Sequence, residues 1–345
     1  MRSRQSGFSL IELMVAMAVM LLISGAAITA LLKMSTTQAT IWNRTQMHSG
    51  IRGATEVLQQ EVGQAGRVAL PNTVKVHSAV THNASAQTIQ LDCVSSCASG
   101  TTAISGIYGR NGGAVGTGEY LTIDTGSAQE VVEVQSVTTS TNSITAVFVN
   151  DHPTAGATVM AVGGFSAGIV PPDSATDSLV NYPNGSTSSV LKLFGDVNAD
   201  GNMVYVEYTC DTSGGNLYRN SMAFDTATKI HASASQILLS NIASNPNGTP
   251  CFKYQTQKVV ITVNGVPTPT YFVTDVAVTL TVNTQQKDPV TKQFQQETKA
   301  LLNVSPRNVF NVWQLAGLGA TDAAGLLRVQ PIPASVTNLL AGTGS

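Results

Sequence analysis

An unbroken apolar run near the start of the chain limits its fold more than any other feature. From Phe8 to Leu32 there are 25 residues, and Glu12 is the only charged one. As an α-helix this run is roughly 37 Å long, which is enough to cross the hydrocarbon layer of a bilayer. Arg2 and Arg4 precede it and no arginine follows it immediately, so the N-terminus is expected on the cytoplasmic side.

Three interpretations of this run compete. A secretory signal peptide has a shorter apolar core, of about 7–15 residues, followed by a cleavage site. A plain membrane anchor fits the length but leaves Glu12 unpaired, although a carboxylate in a membrane helix costs roughly 2.5–3.5 kcal/mol on insertion scales. In the third interpretation the helix assembles with other helices, and a neighbouring chain supplies the positive charge that Glu12 needs.

The residues at the start of the run favour this third interpretation. Behind a short basic leader, the segment Gly7-Phe8-Ser9-Leu10-Ile11-Glu12-Leu13 closely resembles the cleavage and methylation motif of type IV prepilins. The resemblance implies that a prepilin peptidase cuts after Gly7 and that Phe8 is then N-methylated. It also implies that Glu12 pairs with the N-terminal amine of a neighbouring subunit. A glutamate in the first turn already faces the positive end of its own helix, and an ammonium in a dry bundle would neutralise it.

The helix is predicted to continue beyond Lys33 as an amphipathic segment. Six apolar residues recur there at helical spacing: Met47, Ile51, Ala54, Leu58, Val62 and Ala65. Gly66 and Pro71 mark the end. The predicted helix therefore runs from Phe8 to Gly66, roughly 88 Å, and its outer half is expected to pack on a β-domain.

Beyond Pro71 the pattern changes to short alternating runs typical of antiparallel strands. The predicted strands are Val74–Val80, Thr88–Asp92, Tyr120–Asp124, Glu130–Val137, Ile144–Val149, Val190–Phe194, Met203–Tyr208, Leu217–Arg219, Ile237–Ile242, Lys258–Val263 and Tyr271–Asn283. A short helical stretch is expected near Lys299–Leu302, and 99–118 and 169–189 look like linkers. The predicted fold is thus α+β and pilin-like, with a long N-terminal helix on an antiparallel sheet domain.

The predicted organisation has five parts. Residues 1–7 form the leader, 8–32 the transmembrane or filament-core helix and 33–67 its amphipathic continuation. Residues 68–316 form a β-rich globular domain outside the cytoplasm, and 317–345 a loose tail rich in glycine, alanine and proline.

Three further segments resemble PilW-like minor pilins: 51–66, 194–208 and 297–311, the last containing Pro306-Arg307-Asn308-Val309. The resemblance implies a structural subunit that primes or caps pilus assembly, with roles in adhesion, motility or DNA uptake. Its implied partners are other pilins, the prepilin peptidase and methyltransferase, and an inner-membrane assembly platform. The implied location is the inner membrane for the precursor, then the periplasm or an extracellular pilus. A minor pseudopilin of a type II secretion system has the same N-terminal features, and the sequence does not distinguish the two classes of protein.

Composition narrows the remaining function classes. The chain has 18 Lys plus Arg against 20 Asp plus Glu, a formal net charge of −2, which excludes nucleic-acid binding by bulk positive charge. A role in DNA uptake is not excluded by this. No Walker loop, dinucleotide fingerprint or H-E-x-x-H motif occurs, and no enzyme activity is predicted.

Four cysteines, Cys93, Cys97, Cys210 and Cys251, indicate an oxidising compartment. Spacing favours a short Cys93–Cys97 loop and a longer Cys210–Cys251 bridge. Two free buried thiols at Cys210 and Cys251 remain the alternative.

A calcium-loop expression begins at Asp196 and ends at Glu207. In a functional interpretation Asp196, Asn198, Asp200 and the Asn202 carbonyl hold Ca²⁺, as in a calcium-dependent adhesin. The flanking segments have the pattern of strands rather than of EF-hand helices, which favours the alternative, an Asx-rich turn between two strands, so no cofactor is predicted apart from this candidate Ca²⁺. On an extended strand, Glu207 is too far away to complete the site.

Gly164-Phe165-Ser166-Ala167-Gly168 matches the nucleophile elbow of a membrane-anchored hydrolase. Pro171 and Pro172 follow where the elbow needs a helix, so a glycine-rich loop is favoured. Trp42 and Trp313 are predicted to be packing residues. His48 is predicted to lie on the solvated face of the long helix.

Overall fold

The computed structural model describes residues 9–67, 69–110, 118–153, 155–165, 168–172, 185–198, 200, 203–224, 226, 229, 236–263, 266–317 and 329–331. The candidate site residues Gly7, Phe8, Ser166 and Asn202 lie outside this part of the chain, as do Arg2, Arg4 and Ala167.

A single helix, α1, occupies Leu10–Gln64 and contains 55 residues, about 82 Å of helix. The predicted long helix is confirmed, two residues shorter at each end. The predicted apolar stripe on its outer half is buried and consists of Met47, Ile51, Ala54, Leu58, Val62 and, directly after the helix, Ala65. This stripe packs on the sheets of the head, where it forms the largest core cluster with Leu191, Leu193, Val206, Tyr208, Val276 and Val278.

Two antiparallel sheets form the body of the head beneath α1, which confirms the predicted α+β pilin-like architecture. The first has the order β12-β11-β10-β9, with β9 Val190–Gly195, β10 Val204–Asp211, β11 Asn216–Ala223 and β12 Ile237–Ser240. The second is built around β15, which pairs with the others: β13 Ile242–Ala243, β14 Phe252–Val263, β15 Val266–Asn283 and β16 Gln296–Val304. Residues Lys299–Leu302, predicted to be helical, lie in β16, so that prediction is wrong.

Seven more strands form a separate unit inserted between α1 and β9. They are β1 Val74–Val76, β2 Asn83–Cys93, β3 Tyr120–Ile123, β4 Glu130–Glu133, β5 Ser136–Thr138, β6 Ser143–Phe148 and β7 Thr158–Ala161, in the order β4-β3-β7-β1-β2-β6-β5. The two edges, β4 and β5, are separated only by Val134 and Gln135. Because the edges are joined by two residues, the sheet closes on itself as a small barrel. Its interior is filled by a second core cluster that includes Leu91, Leu121, Ile123, Ile144 and Phe148.

Residues 103–107, within the predicted linker 99–118, belong to the packing of this barrel. Ala103, Ile104 and Ile107 are buried in its core cluster. Ile169 and Val170, in the second predicted linker, are also fully buried in the head. The linker predictions are therefore wrong for these residues, because their apolar side chains fill cores.

Three glycines meet where α1 ends. Gly66, with φ +84°, donates its N–H to the Phe194 carbonyl at 2.8 Å. A Cβ on Gly195 would lie 2.5 Å from the Gly66 nitrogen, and one on Gly168 would lie 2.6 Å from the Gly66 Cα. Only glycine permits this close approach of three backbone segments, which fixes the end of the helix on β9.

The end of the described chain adds a helix and a strand that the sequence patterns did not predict. Helix α2, Arg307–Gly317, buries Val309, Val312 and Ala316. The two-residue strands β8, Gly164–Phe165, and β17, Val329–Gln330, pair in parallel. The prediction of a loose tail after Gly317 is wrong for Val329 and Gln330, which are buried.

Both cysteine pairs favoured by spacing are joined in the structure, Cys93 with Cys97 and Cys210 with Cys251. No cysteine is free, so the alternative of two buried thiols does not describe this fold. The longer bridge joins β10 to the segment leading into β14, and both of its cysteines are buried in the core beneath α1.

Candidate functional site: the N-terminal helix and its junctions

The inner half of α1 lies outside the head. Every residue from Ser9 to Met34 is exposed, whereas the apolar stripe farther along the helix is buried. Among the residues that the structure describes, α1 is the one helix long and apolar enough to cross a membrane. A signal sequence meets the same criterion of length and composition, so the role of α1 depends on additional features.

Glu12 sits in the first turn of α1, beside backbone N–H groups that have no partner within the helix. Ser9 precedes the helix with an extended backbone, and its N–H donates to Glu12 Oε2 at 3.4 Å. A carboxylate at this position is favoured by the positive end of the helix. The carboxylate is exposed, so it is accessible to a cation from outside the chain.

Near the end of α1, a buried polar cluster fastens the helix to the first body sheet. Glu61 accepts hydrogen bonds from the Tyr208 hydroxyl on β10 and from the Arg219 guanidinium on β11, where Nε lies 3.0 Å from Oε1. Because Glu61 is buried, this charge-assisted contact fixes the rotation of the helix about its axis.

A second set of polar contacts joins α1 to the loop between β15 and β16, residues 284–295, called the hairpin loop below. Successive helix residues one turn apart each contact a residue of this loop or of the start of β16. The pairs are Thr40 with Asp288, Arg44 with Gln295, and His48 with Glu297. These contacts were not predicted from the sequence, but the predicted position of His48 on a solvated face is confirmed, since its side chain is 56% exposed. The i, i+4, i+8 spacing of three polar residues was the available signal.

The Pro306-Arg307-Asn308-Val309 element begins α2 and caps α1. Asn308 Nδ2 donates to the carbonyls of Gln64 and Gly66, both at 3.2 Å. The last carbonyls of a helix lack partners within the helix, so this amide satisfies groups that would otherwise be unpaired. Val309 is fully buried beside it. The element therefore holds the end of α1 in place.

A buried ion pair connects the end of α1 to the barrel. Arg67 donates to Glu119, which is 0% exposed, and its Nη1 donates to the Gly106 carbonyl at 2.6 Å. The Tyr108 N–H donates to Glu119 Oε2 at 3.2 Å. Burial raises the pKa of Glu119 above its usual range, although Arg67 and these hydrogen bonds oppose the shift.

Gln330 in β17 is a second connection between the barrel and the rest of the head. Its side-chain amide accepts from the Tyr120 N–H at 2.9 Å and donates to the Tyr120 carbonyl at 2.7 Å. It also donates to the Val162 carbonyl at 3.2 Å. Tyr120 begins β3 and Val162 follows β7, so one buried side chain holds two strands of the barrel at the place where the barrel joins the body.

The predicted calcium residues lie between β9 and β10. Asp196 Oδ1 accepts from the Asp200 N–H at 3.0 Å, which is the hydrogen bond of an Asx-type turn. Glu207 lies on β10, is buried, and accepts from the Tyr205 hydroxyl at 2.8 Å. In the part of the chain that the structure covers, no group of three or more His, Cys, Asp or Glu residues could hold a metal ion. Asn202 lies outside that part, and calcium binding stays a prediction.

Two other predicted residues have different outcomes. Trp42 was expected to be a packing residue but is 71% exposed, so that prediction is wrong. Trp313 packs beside Phe310 on α2, with ring centroids 5.2 Å apart. Ser166 lies outside the described residues, and residues 168–172 after it are not helical, in line with the two prolines.

Residues 2–28 match the family model described as the prokaryotic N-terminal methylation motif. This match over the N-terminal segment supports a type IV prepilin-family protein. None of the curated proteins and none of the solved structures compared with the chain matches it. The prepilin motif together with the exposed apolar half of α1 fits a membrane-anchored precursor. The PilW-like resemblance stays a prediction.

Proposed function

We propose that this prepilin is a minor pilin, a structural subunit of a bacterial type IV pilus. It is made as an inner-membrane precursor with a cytoplasmic N-terminus, cut after Gly7 and methylated at Phe8. The observation that carries this proposal is the division of α1: one half carries the methylation motif and is wholly exposed, and the other half is packed into a head. An exposed apolar helix of this length needs lipid or other helices around it.

Glu12 is the proposed assembly residue. In lipid a carboxylate without a partner is costly, and an ammonium from a neighbouring chain removes that cost in a helical bundle. Cleavage after Gly7 creates such an ammonium on Phe8 of each subunit. We infer that Glu12 of one subunit pairs with the Phe8 amine of another, so that processing and assembly are linked.

The proposed role as a minor subunit is supported by the PilW-like segments and by the size of the head. The barrel adds seven strands beyond the body that holds α1. A subunit with such an insertion suits a special position, such as priming or capping a filament, with roles in adhesion, motility or DNA uptake. The proposed partners are other pilins, the prepilin peptidase and methyltransferase, and the inner-membrane assembly platform.

Co-expression with a prepilin peptidase tests processing. Mass spectrometry should show the loss of residues 1–7 and one added methyl group on Phe8. Glu12→Ala should leave cleavage intact and abolish incorporation into filaments, because only the proposed pairing is removed. Glu56→Ala is the matched control, since Glu56 is an exposed carboxylate on the outer half of the same helix. A mature chain that still begins at Met1 contradicts the proposal.

The same N-terminus supports a second candidate, a minor pseudopilin of a type II secretion system. The methylation motif applies equally to both classes. Crosslinking in the native host, followed by capture of the chain, separates them by whether pilins or pseudopilins are recovered.

A further inference from the structure

The hairpin loop points along α1 toward the apolar run. Its contacts with α1 move one helical turn closer to the N-terminus as the chain approaches the loop tip: His48, then Arg44, then Thr40. Gln285 and Gln286, at the start of the loop, line a groove with helix residues that reach down to Ser35. The tip therefore lies on the side of the head nearest the start of the helix.

Helix geometry places this tip at the level of a membrane surface. Lys33 is the first charged residue after the apolar run, and Thr40 lies seven residues beyond it, about 10 Å along the axis. When the run spans the hydrocarbon layer, the headgroup region on each side extends about 5–8 Å farther. The attachment of the loop at Thr40 therefore lies only about 2–5 Å beyond the headgroup region, a gap that an extended lysine side chain can cross.

The outward surface of the loop combines apolar and basic side chains. Val290 is 74% exposed and Phe294 is 47% exposed. Lys287 and Lys292 are exposed beside them, with Lys287 Nζ 5.6 Å from the centre of the Phe294 ring. Exposed apolar residues flanked by lysines suit the boundary between headgroups and acyl chains of an anionic bilayer.

The one acid of the loop is directed inward. Asp288 accepts hydrogen bonds from the Thr40 hydroxyl and from the N–H groups of Val290 and Thr291, all at 2.9 Å. These bonds lower the pKa of Asp288 and keep it ionised. Its charge is used to shape the loop and to hold it on α1, so the face that points away from the head carries the two lysines.

We propose that the hairpin loop is a second membrane contact, which binds the headgroup region of an anionic phospholipid bilayer beside the α1 anchor. This rests on the proposed function only in that α1 must be anchored in a membrane. The contact fixes the orientation of the head above the bilayer before assembly, and it is broken when the subunit leaves the membrane for a filament.

Site-directed fluorescence on the full-length protein tests this contact. The four native cysteines are all in disulfides, so a cysteine introduced by Gln293→Cys is the only reactive thiol and can carry a bimane label. The protein is reconstituted into phosphatidylcholine vesicles with or without phosphatidylglycerol, each with a headgroup-level spin-label quencher. Met34→Cys reports the anchor, and Ser127→Cys reports the barrel, at the far end of α1.

The expected result is quenching at position 293 in the anionic vesicles, quenching at position 34 in both vesicle types, and none at position 127. Each lysine near an anionic surface contributes a factor of about five to binding. Replacing Lys287 and Lys292 together by Gln should therefore weaken the loop contact about 25-fold and abolish quenching at 293 alone. Lys253→Gln, at an exposed lysine on β14, should change nothing.

Other outcomes overturn the proposal in distinguishable ways. If position 34 is quenched and position 293 is not, α1 is anchored but the loop does not touch lipid. If neither is quenched, the anchored precursor of the proposed function fails as well. If position 293 is protected from aqueous iodide only when other pilins are present, the loop is a subunit interface.

Discussion

Replacing Arg67 by methionine tests how the barrel is held on the end of α1. Arg67 pairs with Glu119, which is fully buried, so Arg67→Met leaves a buried carboxylate without its cation. Breaking a buried ion pair on one side costs about 3–5 kcal/mol. We expect this loss at pH 8 in the unfolding free energy of the detergent-solubilised full chain, measured by urea titration with near-ultraviolet circular dichroism. Arg52→Met, at an exposed pair with Glu56, should leave the midpoint unchanged.

The loss of unfolding free energy in Arg67→Met should be larger at high pH than at low pH. Burial already raises the pKa of Glu119, and removing Arg67 raises it further. An acid with a raised pKa in the folded state binds a proton there more readily than in the unfolded state, so the variant gains stability as pH falls. The difference between Arg67→Met and the natural chain should therefore shrink from pH 8 to pH 5. Arg67→Met combined with Glu119→Gln should show a smaller loss and no such pH dependence. An equal loss at both pH values would refute this reasoning.

Three further predictions concern the core, the longer disulfide and the calcium residues. Leu58→Ala should lower the unfolding free energy of the head by about 2–5 kcal/mol, because Leu58 is fully buried. Leu22→Ala, on the exposed half of α1, should leave the unfolding free energy of the head unchanged. Equal losses in Leu58→Ala and Leu22→Ala would contradict the division of α1 into a packed half and an exposed half. Replacing Cys210 and Cys251 by serine opens a loop with a sequence separation of 41 and should cost about 4 kcal/mol on the chain-entropy scale, measured by the same urea titration. Thermal melting with added calcium separates the two interpretations of the Asp196 segment: a rise in melting temperature that Asp200→Asn loses would indicate a calcium site, and no shift in excess calcium would indicate the Asx-rich turn alone.

The long helix was predictable because its signal is local. The apolar run and the buried stripe are both periodic patterns within one segment, and a helix needs no distant partner to define its faces. The wrong prediction for Trp42 has the same origin. Trp42 lies nine residues before Ile51, which at 100° per residue places it on the opposite side of the helix from the stripe.

The end of the chain was harder to predict. Lys299–Leu302 is a short stretch with two adjacent leucines, and such a cluster is compatible with either a helix or a strand. Pairing with β15 makes this stretch a strand. Thr298, directly before it, lies opposite Thr281 on β15, and the two hydroxyl oxygens are 2.8 Å apart. The patterns used here also passed over α2, although Val309, Val312 and Ala316 recur at helical spacing within it.

The closure of the barrel could not be derived from the alternation of apolar and polar residues along its strands. Most of its strands were predicted approximately, but β7 was not, and β4 with β5 was read as one strand, Glu130–Val137. In the structure this segment breaks at Val134 and Gln135, whose N–H groups donate to Glu119 and Thr145 on different neighbours. Which strand lies beside which depends on contacts between distant segments, and alternation reports only which residues face inward.

The amide of Gln330 has a mechanical consequence. A force that pulls on the barrel is resisted by the two chain segments that connect the barrel to the body. It is also resisted by a third connection, the hydrogen bonds from Gln330 on β17 to Tyr120 and Val162. The ion pair between Arg67 and Glu119 acts at the same end. Together these contacts prevent the barrel from rotating freely relative to the body. A force on the barrel is therefore transmitted to the end of α1, where the three glycines pack together, and from there along the helix.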